Sequence, residues 1–118
     1  MLFRVDPASA VPLGDQIAAC VRGALADGSA APGERLPAAR DLADSLGVNV
    51  HTVLRGYQRL REEGLIELRR GRGAVIVPGA TAPDRARLVS HLREAAAQAR
   101  ELGLTDTEFL DLARTSLE

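Results

Sequence analysis

The chain holds a single cysteine, Cys20, and no lysine at all. One thiol cannot close an internal disulfide, and it leaves no paired-cysteine spacing for zinc. Cys20 lies among Ile17, Ala18, Val21 and Ala24, which predicts a small buried apolar side chain and not a reactive thiol. No apolar run approaches the ~18 residues that cross a bilayer, and no basic-then-apolar segment opens the chain. A cytoplasmic protein without a membrane partner is therefore expected. Ser/His/Asp, Cys/His and paired-carboxylate arrangements are also missing, so neither enzyme activity, a metal nor a cofactor is expected. Because lysine is absent, all fifteen basic residues are arginine. That uniformity reads as genome composition bias, so position matters more than number in assigning contacts to phosphate or bases.

A length of 118 residues, with 46% hydrophobic and 26% charged residues, suits one ordinary domain with a short extension and a real core. The net charge of -1 conceals an uneven distribution. Residues 50 to 73 carry six arginines against three glutamates, a local +3, whereas residues 81 to 118 carry five arginines against seven acids, a local -2. A basic stretch of this kind is an electrostatic footprint for nucleic acid.

Leu2 to Val5 alternates as a short strand or arm, and Asp6-Pro7 ends it. Apolar residues then recur every three or four positions, at Leu13, Ile17, Val21, Ala24 and Leu25, which predicts a helix from Pro12 to Gly28. Residues 28 to 37 hold two glycines and two prolines and predict a loop. A second helix, Ala38 to Leu46, ends at Gly47, and Asn49 caps a third that runs to Glu63. Val53, Gly56, Tyr57 and Leu60 form the third helix's core face, so His51, Arg55 and Gln58 point outward, with Thr52 and Arg59 beside them. Two short β-rich runs, Leu65 to Leu68 and Ala74 to Val77, flank the tip Arg69-Arg70-Gly71-Arg72-Gly73. Pro78 to Pro83 reads as a linker. A helical stripe from Leu88 to Leu102 follows, and Thr105 to Glu108 has capping-box spacing for a last helix.

The expected fold is thus α+β and mostly α, a winged helix-turn-helix domain followed by a short two-helix C-terminal extension. Its divisions are 1–78, a linker at 79–83 and a tail at 84–118. This element order places one helix in a DNA major groove with a hairpin beside it. The glycine-flanked arginines of the tip suit the backbone or a narrow minor groove. Double-stranded DNA is the expected partner.

Pro12-Leu13, Gln16-Ile17, Pro32-Gly33-Glu34-Arg35-Leu36-Pro37, Arg40-Asp41-Leu42-Ala43, Leu46-Gly47-Val48-Asn49, Thr52-Val53, Leu60, Glu63-Gly64-Leu65-Ile66 and Arg70-Gly71-Arg72-Gly73 together resemble the GntR family across residues 12 to 77. The stretch from Asn49 to Tyr57 and the short tail resemble its YtrA-type branch. The resemblance implies that Arg40, residues 49 to 55 and the wing tip near Gly71 reach DNA, and that the tail dimerises instead of forming a large effector-binding domain. Family members often have serine where Ala38 stands and arginine where Val50 and Leu54 stand. Arg55 is expected to supply the charge in their place.

Candidate DNA-binding residues are accordingly Arg35, Arg40, Asn49, His51, Thr52, Arg55, Arg70, Gly71 and Arg72. Arg35 is open between a phosphate partner and a solvated side chain, and His51 between DNA contact and surface decoration. Gly71-Arg72-Gly73 is no nucleotide loop, because no helix follows it. Two short tail helices cannot build a stable core alone. Leu88, Leu92, Ala95, Ala99, Phe109, Leu112 and Ala113 are therefore expected to pack against a second copy, with packing onto the chain's own domain as the alternative. A homodimer makes a palindromic operator a geometric consequence. The expected function is a sequence-specific regulator, repression being the favoured direction. One alternative is a winged-helix protein-interaction module that uses Val50 and Leu54, and a small-molecule effector at the tail stays open.

Overall fold

The computed structural model describes residues 1–118. Along the chain lie α1 (Leu13–Asp27), α2 (Ala39–Leu46), α3 (Val50–Glu62), β1 (Ile66–Arg69), β2 (Gly73–Ile76), α4 (Ala82–Glu101) and α5 (Asp106–Thr115). The fold is α+β and mostly helical, as the sequence predicts. Two compact units divide the chain, Met1–Arg87 and Leu88–Glu118.

In the first unit the helical periodicities converge on one core. Ile17, Val21 and Leu25 of α1 meet Leu42 and Ala43 of α2, Val53, Tyr57 and Leu60 of α3, and Leu65, Ala74 and Ile76 around the hairpin. Helices α1 and α3 approach so closely that a Cβ on Gly56 would lie 2.7 Å from the Gly14 carbonyl oxygen. The Tyr57 hydroxyl donates to the Pro37 carbonyl at 2.7 Å, which satisfies its polar end, and burial pushes its pKa up to about 12.

Helix ends follow the capping chemistry. Gly47 closes α2 in the left-handed conformation, φ 69°, and its N–H donates to the Ala43 and Asp44 carbonyls. A side chain there would strain that conformation. Two residues later the Asn49 side chain accepts from the His51 N–H at 2.8 Å and opens α3. The turn between the helices is therefore only three residues long.

The hairpin pairs antiparallel, with Ile66 opposite Ile76 and Arg69 opposite Gly73. Its tip consists of Arg70, Gly71 and Arg72, with Gly71 at φ 80°. The segment expected as pure loop contributes more than a connection. Leu36 N–H donates to the Ala74 carbonyl, Gly33 N–H to that of Ile76, and Ile76 N–H to that of Glu34, while Arg35 bridges Val75. The second edge of β2 is thereby covered, which satisfies backbone groups that an open edge would leave unpaired.

Of the two readings of Leu2–Val5 the arm is the one formed, since the sheet has only β1 and β2; Phe3 and Val5 pack on the core, and the Gln16 side chain bonds to both the Asp6 N–H and carbonyl. Two local expectations are corrected. Cys20 is half-buried instead of fully buried, and its thiol donates to the Arg4 carbonyl of that arm at 3.3 Å. Helix α4 begins at Ala82, inside the stretch read as linker. Pro83 is tolerated there because first-turn N–H groups have no helical partner, and Ala82 and Ala86 bury into the core.

One buried charge pair ties the first unit together. Arg22 of α1, 5% exposed, donates twice to Glu63 at the end of α3, Nε to Oε1 at 2.9 Å and Nη2 to Oε2 at 3.0 Å. Arg85 Nε donates to the Glu63 carbonyl at 2.9 Å, and Arg87 donates to the Ala26 carbonyl at 2.7 Å. Both arginines thus cap helix C-termini with positive charge, a favourable placement against the helix dipole.

In the second unit, Thr105 and Glu108 form the expected capping box at the start of α5. The Thr105 backbone N–H, and then its hydroxyl, hold the Glu108 carboxyl below its ordinary pKa. No residue of α5 is buried.

Candidate nucleic-acid interface

Helix α3 stands between two shallow grooves. One, toward the hairpin, is lined by His51, Leu54, Arg55, Tyr57, Gln58, Arg61 and Leu68. The other, toward the start of α1, is lined by Pro12, Leu13, Gly14, Asp15, Thr52, Arg55, Gln58, Arg59 and Glu62. The outward face of α3 is therefore a ridge with relief on both sides. A helix with its side chains is ~10–12 Å across, and a B-form major groove of ~12 Å admits one.

The residues expected to meet DNA are placed as follows. His51 and Arg55 are exposed on the ridge and Thr52 is half-buried at its edge. Asn49 is exposed at the helix start, with its side-chain oxygen occupied by the cap. Arg40 is exposed in the first turn of α2, and Arg35 is exposed in the strip beside β2. Arg70, Gly71 and Arg72 are exposed at the hairpin tip. All nine lie in the first unit.

Charge pairing separates the arginines. Arg69 is held by Glu67 at 2.6 Å, and Arg59 lies 3.7 Å from Asp15. Arg35, Arg40, Arg55, Arg61, Arg70 and Arg72 form no ion pair with a carboxylate. Their charge is uncompensated within the chain and available to phosphate. The excess of positive charge read from residues 50 to 73 thus resolves onto specific side chains, and Arg40 joins them from another helix.

Of the two apolar residues that stand where the family often has arginine, Leu54 is exposed on the ridge, as its spacing of three from His51 and four from Gln58 requires. Val50, by contrast, packs against the core. Val50 is thus half-buried where Leu54 is exposed.

The tail residues expected at an interface divide as well. Leu88, Leu92, Ala95, Leu112 and Ala113 are exposed, Phe109 is half-buried and Ala99 is buried. Ala99 and Phe109 line a crevice between α4 and α5 with Leu104 and Leu110. Leu102, the last residue of the predicted stripe, is exposed, and so are Leu110 and Leu117, which the sequence pattern does not single out.

A three-residue turn joining two helices, an outward cationic third helix and an arginine-tipped hairpin together define a winged helix-turn-helix DNA-binding protein. Residues 13–76 match the family described as "Bacterial regulatory proteins, gntR family". The chain is 37% identical over 108 residues to the HTH-type transcriptional regulator Rv1152 of Mycobacterium tuberculosis, spanning 92% of this chain and 88% of that one. It is likewise 37% identical over 75 residues to the HTH-type transcriptional repressor YtrA of Bacillus subtilis, spanning 64% of this chain and 58% of the relative. Among solved structures, YtrA from Sulfolobus acidocaldarius, a GntR-family transcription factor, superposes with a TM-score of 0.63 at 33% identity, covering 82% of this chain and 99% of that one. The chain belongs to the GntR family of transcriptional regulators and is of the YtrA type. No helix is long and apolar enough to cross a membrane.

Proposed function

We propose that the chain acts as a cytoplasmic homodimer that represses transcription by occupying a palindromic operator. The observation that carries this reading is the coincidence in one unit of unpaired arginines at the start of α2 (Arg40), on the ridge of α3 (Arg55) and at the hairpin tip (Arg70 and Arg72). In this reading residues 1–78 read DNA, residues 84–118 dimerise and residues 79–83 join them. Arg40, Asn49, His51, Thr52 and Arg55 meet base edges or phosphates within the major groove. Arg35, Arg70, Gly71 and Arg72 engage the backbone to either side. The exposed leucines of the tail support dimerisation, since an apolar surface of that kind marks an interaction site. Repression is supported by the name of the Bacillus relative. Selection from a random duplex pool tests the whole reading: enrichment of an inverted repeat is expected, and the absence of any enriched sequence would refute it.

Two substitutions separate specificity from affinity. Arg40→Ala should reduce discrimination between operator and random DNA by about 1–3 kcal/mol per half-site, the worth of a good base contact. Competition titrations against mutated operators measure this, and an unchanged preference removes Arg40 from the reading surface. Replacing Arg70 and Arg72 together by alanine should weaken binding to all sequences alike. The dimer then loses four phosphate contacts, so the log–log salt slope should flatten by about 3 to 4. A slope equal to that of the parent protein would mean that the wing tip stays off the phosphates.

A further inference from the structure

Leu54 is 47% exposed in the middle of an otherwise polar face, between His51 on one turn and Gln58 on the next, with Arg55 adjacent. Single exposed leucines are common on protein surfaces, so exposure alone assigns no role. Its position does. The core face of α3 is complete without it, since Val53, Gly56, Tyr57 and Leu60 are all buried. Across the groove stands Leu68 of β1, 59% exposed. The rim carries the Arg55 and Arg61 guanidiniums beside His51, a border whose two positive charges complement phosphate better than a protein partner's mixed surface.

In the major groove the thymine C5-methyl is the apolar group presented on a base edge; guanine, adenine and cytosine present donors and acceptors. We infer that Leu54 is a specificity-determining residue that packs against the C5-methyl of one thymine in each operator half-site. This rests on the DNA-reading function proposed above. Leucine discriminates in two ways. Contact with the methyl buries apolar surface of both partners. A guanine at the same position would have its O6 and N7 covered by a side chain that offers no hydrogen bond, and unpaired buried acceptors are costly. Thymine is therefore selected by attraction and guanine rejected by desolvation.

The test replaces each thymine of the selected operator, one symmetric pair at a time, by deoxyuridine, which removes only the methyl group. The parent protein and Leu54→Ala are titrated on every duplex at one salt concentration. At one symmetric position the parent should lose about fourfold per half-site, the worth of one buried methyl group. Leu54→Ala should bind the thymine and uracil forms equally there, and selection with this variant should lose the thymine preference at that position. Since Leu54 is half exposed, the variant should fold, and an unchanged melting curve checks it. Two outcomes overturn the inference while leaving operator binding intact: a parent protein indifferent to every thymine-to-uracil change, or a Leu54→Ala variant that keeps the full methyl effect. If the parent selects no DNA sequence, the proposed function falls with it, and the Leu54–Leu68 groove is then a protein-docking surface.

Discussion

Glu63→Ala should lower the melting temperature of the protein by on the order of 10–40 °C. The carboxylate accepts two hydrogen bonds from Arg22, whose side chain is 6% exposed. Removing it leaves a guanidinium enclosed without its counter-charge, a change that costs ~3–5 kcal/mol in buried pairs. Each kcal/mol moves the midpoint of a domain this size by ~4–8 °C. The loss is a desolvation penalty and not the net worth of the pair, so Arg22→Met combined with Glu63→Met should recover most of the stability. Thermal unfolding of the parent, the single variant and the double variant measures both claims. A single variant within 2 °C of the parent would show that water reaches Arg22. A double variant no better than the single would show that the pair itself, and not the unpaired charge, carries the stability.

The second large effect is expected at the tail. If the proposed homodimer forms through the tail, Leu92→Glu with Leu112→Glu should leave a monomer and lower operator affinity at least a hundredfold. The two side chains are 54% and 56% exposed, so neither substitution opens a cavity within the chain. At an interface, by contrast, the carboxylates of two copies would be driven into apolar surroundings and toward each other. A monomer holds only one half-site, and joining two binding modules raises overall affinity ~10²–10⁴-fold without any new contact. Sedimentation velocity and operator titration read the two effects separately. A dimer that survives the double substitution places the interface elsewhere. A monomer that binds the operator undiminished would contradict two-fold recognition.

The local features that set the candidate DNA-facing surface and the helix ends were legible in the sequence. The core stripe at Val53, Gly56, Tyr57 and Leu60 fixed the orientation of α3, and Asn49, Gly47 and Thr105 marked helix ends through their own capping chemistry. Non-local pairings were not legible. Arg22 shares a helix face with Ala18 and Leu25, yet nothing local indicates that its partner is forty-one positions away. The alternation at Leu2 to Val5 is compatible with a strand, but strand formation needs a neighbour, and the free edge of β2 is taken by the strip around Arg35. The start of α4 was obscured because proline usually marks interruption, whereas Pro83 occupies a first turn where it costs little. At the candidate site, exposure of the arginines followed from periodicity, but their division into paired and unpaired charges depended on Asp15 and Glu67, which only the folded chain brings to bear.

The close approach of Gly14 and Gly56 means that α3 is seated against α1 by main chain. The atom nearest to a Cβ at position 56 would be the Gly14 carbonyl oxygen, with Ile17 Cβ and Cγ2 next at 3.2 Å, so any side chain there would push the two helices apart. The residues that form this seat, Gly56 with Val53, Tyr57 and Leu60, share no position with the outward set at His51, Leu54, Arg55 and Gln58. In the proposed function the outward set is an exchangeable cassette: substitutions in it are expected to alter which bases are read while the buried stripe at Val53, Gly56, Tyr57 and Leu60 keeps its residues. A protein built in this way would change its target sequence without first replacing its core.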